Sequence, residues 1–157
     1  MLVTAPLELT HRLLPAMTER RYGRILNVAS VAGLMPGSPS HTLYAAAKAL
    51  LIKFSQSLHS EQRETGVHVT ALCPGFTRTE FHQASRNPRS DDRRGSWIWL
   101  DADRVARDGY HAVMKNAPIC IPGLQYKLVS TTVRLLPLKT AHRLGEFRKQ
   151  ILAWVRN

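Results

Sequence analysis

Apolar residues near the start of the chain recur at helical spacing. Leu7, Leu9, Leu13, Leu14 and Met17 stand among Glu8, Thr10, His11 and Arg12, which predicts a helix over residues 3–21. Pro6 suits a helix start. Pro15 is expected to kink or end the helix, because proline has no amide hydrogen and its ring crowds the preceding turn. After Gly23 the run Arg24-Ile25-Leu26-Asn27-Val28-Ala29 is short, mostly apolar and rich in strand formers, the pattern of a buried strand in a parallel sheet. Gly33, Pro36, Gly37, Ser38, Pro39 and Ser40 then read as a loop. The stretch Ala45-Ala46-Ala47-Lys48-Ala49-Leu50-Leu51 has high helix propensity and sits in a helix expected over 42–65, with Gly66 as its C-terminal cap. Val67 to Cys73 reads as a second strand, ended by Pro74-Gly75. Residues 80–100 are polar and irregular. Asp101 or Asp103 is placed to cap a helix running to about Asn116. Ile119-Cys120-Ile121 is a third, very short strand. From Leu124 onward the pattern is that of two basic amphipathic helices separated near Pro137.

Helix, strand, helix, strand, helix, strand, helix is the order of an α/β protein with a parallel sheet. Three strands make a small sheet, and the apolar first strand expects neighbours on both sides. The division expected is residues 1–123 as the α/β part and 124–157 as basic amphipathic helices. The length, 157 residues, and the 44% hydrophobic content fit one globular core. Charge changes the picture more: 22 Lys+Arg against 11 Asp+Glu give a formal net charge of +11. Such an excess favours anionic partners. Nucleic acid is not expected, since no recognition motif accompanies the charge. The two cysteines, Cys73 and Cys120, stand far apart. No Cys/His spacing suits a metal, so no metal site is expected. That cysteine usage fits a reducing compartment. No run of 18 apolar residues occurs, and the N-terminal stretch does not read as a signal peptide. The expected location is therefore cytoplasmic, with a peripheral position at a membrane as the alternative.

Candidate chemistry gathers where strands end. Tyr44 and Lys48 stand at i and i+4, which puts both side chains on one helix face. An ammonium beside a phenol favours the phenolate, and a phenol so tuned can exchange a proton in a reaction. Ser30 follows the first strand, at the strand end where α/β sheets hold ligands; it can bond a substrate oxygen or serve as a turn serine. Pro74-Gly75 follows the second strand and faces the same crevice. Gly75 permits close backbone approach, and Thr79 adds a hydroxyl nearby.

The combination is more specific than its parts. Three runs resemble the short-chain dehydrogenase/reductase family in order and spacing. They are Gly23-Arg24-Ile25-Leu26-Asn27-Val28-Ala29-Ser30-Val31-Ala32-Gly33, Tyr44-Ala45-Ala46-Ala47-Lys48-Ala49, and Val69 to Phe81 with its Cys73-Pro74-Gly75 turn. The resemblance spans about residues 2–123. It implies the C-terminal part of a Rossmann-like doubly wound parallel sheet, with about three strands and flanking helices. It implies hydride transfer between NAD or NADP and a small alcohol/carbonyl substrate. The implied catalytic residues are Ser30, which polarises the substrate oxygen, Tyr44, the general acid/base, and Lys48, which tunes Tyr44 and holds the nicotinamide ribose. The implied cofactor-binding residues are Tyr44, Lys48, Pro74, Gly75 and Thr79. Residues 80–100 would cover the substrate, with Trp97 and Trp99 lining an apolar pocket or anchoring that segment on the core.

The family's nucleotide-binding half is not found in this sequence. There is no GxGxxG turn, and the only Thr-Gly, Thr65-Gly66, ends a helix. The family's relay asparagine aligns at or beside Leu2. At about 30 residues per strand–helix unit, roughly 120 residues of the family's fold are missing. Three expectations follow. The chain is inactive alone. Its first strand leaves an apolar sheet edge open. It pairs with itself or with a full-length relative through helices 3–21 and 42–65, as a non-catalytic partner in the alternative reading. The basic stretch 134–157 raises a further alternative, an anionic membrane surface.

Overall fold

The computed structural model describes residues 2–37, 42–78, 97–137, 139–141 and 143. Helix α1 spans Thr4–Glu19 and strand β1 spans Gly23–Val28, with a short 3-10 turn over Val31–Leu34. Helix α2 spans Thr42–Glu61, and strand β2 follows at Val67–Leu72. Two-residue strands β3, Thr77–Arg78, and β4, Leu100–Asp101, precede helix α3 over Ala102–Met114. Strand β5, Ile119–Cys120, and helix α4, Leu124–Leu135, complete the described elements.

The main sheet has the order β1-β2-β5 and is parallel throughout. Gly23 pairs with Val67 and Val28 with Leu72, so β1 and β2 start and stop together. Ala71 and Leu72 pair with Ile119 and Cys120. The hydrogen bonds Ala29 N to Leu72 O and Cys73 N to Cys120 O, both 2.7 Å, align the three strand ends on one rim. β2 lies in the middle and is almost wholly buried; its two polar side chains, His68 and Thr70, bond to the Val113 and Ala117 carbonyls.

The sheet is covered on both faces. On one, Ala29, Leu51, Ile52, Ala71 and Cys73 meet Leu7, Leu34 and Phe54. Leu58, Val67 and Val69 meet Leu14 and Met17 of α1 on that same face. On the other, Leu72, Leu100 and Val105 meet Leu26, Cys120 and Tyr126. Asn27 carries a buried polar tie between layers: its Nδ2 donates to Ser55 Oγ at 2.9 Å, and Ser55 donates to Leu51 O at 2.7 Å. Burying these groups is tolerated because each is paired. The chain is an α/β protein with helices on both faces of a parallel sheet.

Three details depart from expectation. Pro15 does not end α1, which runs through it to Glu19. His11, whose carbonyl loses its partner, and Pro15 are exposed, while Leu14 and Met17 continue to pack inward. Helix α2 ends at Glu61, four residues early, so Gly66 is not its cap. With φ +77°, Gly66 instead turns the chain into β2 against the Arg21 carbonyl. The strands β3 and β4 pair in parallel, Thr77 with Leu100, and were too short to leave a pattern in the sequence. Asp101 caps α3 as expected, accepting from Asp103 N at 3.1 Å.

The outer edge of β1 is open among the described residues. A groove of about 510 Å³ runs along it, lined by Leu2, Pro6, Leu9 and Leu13 of the α1 region and by Arg24 to Val28 and Lys48. Val28 is 54% exposed although it lies in a strand.

Candidate active site

The rim formed by the strand ends gathers most of the residues singled out from the sequence. Ser30 leaves β1 in extended conformation and opens the 3-10 turn; its Oγ accepts from Ala32 N at 3.2 Å. That turn lies directly on α2. A Cβ placed on Gly33 would stand 2.6 Å from both the Lys48 carbonyl carbon and the Ala49 amide nitrogen. The absence of a side chain at Gly33 therefore brings the Ser30 turn against the helix that carries Lys48. On the other side, Val31 N donates to Pro74 O at 3.0 Å, joining the Ser30 turn to the Pro74-Gly75 turn.

Tyr44 and Lys48 lie one turn apart on α2, with Lys48 Nζ 5.8 Å from the centre of the Tyr44 ring. Tyr44 is 41% exposed. Lys48 is half-buried, and its ammonium donates to Val28 O at 2.8 Å. That carbonyl lies on the open edge, since the Asn27 and Ala29 backbone on either side faces β2. Burial pushes the Lys48 pKa down, and the Cys73 thiol opposes the shift. Ser30, Tyr44, Lys48, Pro74 and Gly75 thus occupy neighbouring positions on one rim. Thr79 lies outside the described residues, as does most of the segment 80–100.

Cys73 sits beneath the rim. Burial pushes its thiol up to about 12, and Cys120 adds to the rise; the Ser30 backbone and Lys48 pull the other way. A thiol held neutral is a poor nucleophile. In the native protein, iodoacetamide is expected to leave Cys73 unlabelled and to label half-buried Cys120 first, read by peptide mass spectrometry. The shift also has a sign for stability. The unfolded thiol ionises near 9.0 and the folded one near about 12. Between those values the unfolded state holds fewer protons, so stability falls as pH rises, by at most about 1.4 kcal/mol per pH unit. Urea midpoints measured across that window are expected to fall, and Cys73→Ala is expected to flatten the slope.

Sequence reasoning missed Tyr126. Its hydroxyl donates to Ile98 O at 2.6 Å and accepts from Phe76 N at 3.0 Å. Its ring fills the space over Gly75, where a Cβ would fall 2.0 Å from Tyr126 Cζ. The room that Gly75 offers is thus taken by a side chain of the same molecule. Nothing local marks Tyr126, because the contact spans about fifty residues. Trp99 packs on Phe76 with ring centres 5.5 Å apart, whereas Trp97 is 71% exposed. Among the described residues no three His, Cys, Asp or Glu side chains cluster as metal ligands. No described helix is long and apolar enough to cross a membrane.

Comparison with known proteins agrees with this architecture. Oxidoreductase UcpA of Salmonella typhimurium is 38% identical over 84 residues, which are 53% of this chain and 32% of that protein. Ketoacyl reductase HetN of Nostoc sp. is 44% identical over 72 residues, 46% of this chain and 25% of its own. A 7beta-hydroxysteroid dehydrogenase structure superposes with a TM-score of 0.76 at 21% identity, covering 92% of this chain and 55% of that one. A short-chain dehydrogenase from Sphingobium yanoikuyae, in complex with NADPH, gives 0.64 at 23% identity, with 85% and 52% covered. At these identities the two structures speak to the fold alone. The chain spans about a third of the length of the first of these relatives and about half of the solved chains. The family model for short chain dehydrogenases matches residues 2–90, more than half of the sequence, and the chain belongs to that family.

Proposed function

We propose that this chain carries the catalytic half of an NAD(P)-dependent oxidoreductase that interconverts an alcohol and a carbonyl compound. The observation that carries the reading is the common rim on which Ser30, Tyr44 and Lys48 stand at the ends of parallel strands. Their donors suit the ribose and nicotinamide end of the cofactor: a phenol, an ammonium and a hydroxyl, at the crevice where such sheets bind ligands. When bound, the nicotinamide gives or takes the hydride.

The protein's own residues handle the proton and the orientation. Tyr44 Oη donates its proton to the carbonyl oxygen during reduction and recovers one during oxidation. Ser30 Oγ donates a hydrogen bond to the same oxygen and fixes the substrate against Tyr44. Lys48 holds a positive charge beside the Tyr44 ring and offers N–H donors to the ribose hydroxyls. Pro74 and Gly75 shape the opposite wall, and Thr79 is assigned to the cofactor as well. The adenine and pyrophosphate require a glycine-rich turn at a helix N-terminus, which this sequence does not contain. The reading therefore includes a second polypeptide segment that binds that end and lies against the open edge of β1.

The test is turnover. The purified 157-residue chain is expected to oxidise no NADH or NADPH with a panel of ketones and aldehydes. Co-expression with the N-terminal half of UcpA is expected to restore turnover. Activity of the chain alone would overturn the requirement for a second segment. A complemented complex that binds NADPH yet stays inactive would overturn the catalytic reading.

A second reading is supported by exposed leucines on the outer helices: Leu9 and Leu13 on α1, and Leu43 and Leu50 on α2, with Leu43 84% exposed. On this reading the chain pairs through α1 and α2 with a full-length relative and has no catalytic role. Size-exclusion of the mixed proteins distinguishes the two, since the second reading requires co-elution without added turnover.

A further inference from the structure

Helix α4 is built the wrong way round for a helix that only packs on its own core. Its inward face is Tyr126, Ser130 and Val133, of which Ser130 is fully buried. At 100° per residue, Leu124, Leu128 and Leu135 fall within about 40° of one another and opposite that face. They are 69%, 60% and 80% exposed. The most apolar stripe of the helix therefore points into solvent. Lys127 and Arg134 flank it, about a quarter-turn to one side, and both are exposed.

The neighbouring features share this character. Gln125 Nε2 donates to Trp97 O at 3.0 Å, which holds Trp97 beside the first turn of α4, 71% exposed. Lys139 and Arg143, beyond the end of the helix, are also exposed. Residues 124–143 contain Lys127, Arg134, Lys139 and Arg143 and not one Asp or Glu.

We infer that the Leu124–Leu128–Leu135 stripe of α4, together with Trp97, docks on an anionic lipid surface. Charge complementarity selects that occupant. An apolar stripe flanked on one side by Lys127 and Arg134, on a helix without a single acidic residue and with an exposed tryptophan at one end, fits the boundary between acyl chains and negative headgroups. The helix lies in the plane of the surface, since its 12 residues reach about 18 Å, too short for a hydrocarbon core of about 30 Å. Docking uses the face of α4 opposite Tyr126, the side chain that the helix lays over Gly75 at the rim. The inference is independent of the proposed activity. Its consequence for that activity is a bias toward substrates that partition into lipid.

The experiment is co-sedimentation of the 157-residue chain with vesicles of phosphatidylcholine, alone or mixed with phosphatidylglycerol. Binding is expected only to the mixed vesicles, and it is expected to weaken as salt rises. The double variant Lys127→Gln, Arg134→Gln is expected to bind roughly 25-fold more weakly, at about fivefold per basic residue near an anionic surface. The double variant Leu128→Ser, Leu135→Ser is expected to lose about tenfold or more. These side chains are exposed, so unchanged far-UV circular dichroism is expected. In a Trp99→Phe, Trp154→Phe background, brominated lipid is expected to quench the fluorescence of Trp97. Binding that ignores phosphatidylglycerol, or an unquenched Trp97, overturns the proposal. So does a concentration-dependent dimer that Leu128→Ser dissociates, because the stripe is then a protein interface.

Discussion

Replacing Tyr44 by Phe is expected to lower kcat of the complemented enzyme by about 10²–10⁴-fold, with KM for the carbonyl substrate changed only a few-fold. The argument rests on position. Tyr44 is 41% exposed on the face of α2 that also carries Lys48, beside the rim where Ser30 emerges. Removing one oxygen from an exposed ring leaves packing almost untouched, so unfolding midpoints are expected to coincide with wild type within error. On the proposed mechanism, what disappears is the hydroxyl that passes a proton to the substrate oxygen. Ser30→Ala is expected to cost less, about 10²–10³-fold, because it removes a hydrogen bond to that oxygen and no proton transfer. A Tyr44→Phe enzyme that retains near-normal kcat would sink the assignment, whatever the effect of Ser30→Ala.

Gly75→Ala is expected to destabilise the protein by about 1–3 kcal/mol, an unusually large penalty for adding one methyl group. The added carbon would fall 2.0 Å from the Tyr126 ring, which must leave its place. With it go the hydrogen bonds to Ile98 O and from Phe76 N. The double variant with Tyr126→Ala removes the ring that the methyl group meets. The two substitutions are thus expected to be strongly non-additive, with a coupling of about 1–3 kcal/mol in urea unfolding. The same cycle separates two roles for Gly75. If its openness serves only Tyr126, the double variant in the complemented enzyme regains turnover relative to Gly75→Ala. If backbone approach to the nicotinamide also matters, turnover stays low although stability recovers. Additive single effects would contradict the packing account.

Much of the fold was legible because its signals are local. The strands beginning at Gly23 and Val67 lie within a residue of their expected ends, since apolar runs bounded by glycine and proline mark their own limits. That Tyr44 and Lys48 share a helix face was legible from spacing alone, whereas their roles were implied only by the resemblance that three runs carry together. Other features depend on contacts that no window of sequence contains. Pro15 passes through α1 because Leu14 and Met17 hold the helix to the core. Thr77 and Leu100 pair over only two positions, too few for any periodicity. Lys48 reaches Val28 O, and Tyr126 covers Gly75, across twenty and about fifty residues respectively. Of the site residues, Ser30, Tyr44, Lys48, Pro74 and Gly75 have described positions and Thr79 does not.

The strand order β1-β2-β5 is also the order in which the ribosome makes the strands. Each new strand can join the sheet beside the one just finished, so no strand has to be inserted between two that are already paired. Assembly of this sheet can follow the order of synthesis, although each parallel pairing is long-range and therefore slow to form. The same directionality has a cost for handling the protein. Among the described residues the outer edge of β1 is open, and no later described strand turns back to shield it. A holding chaperone, or a partner synthesised beforehand, is the natural remedy. Yield of the soluble chain is accordingly expected to depend more on what is present during translation than on conditions of refolding afterwards.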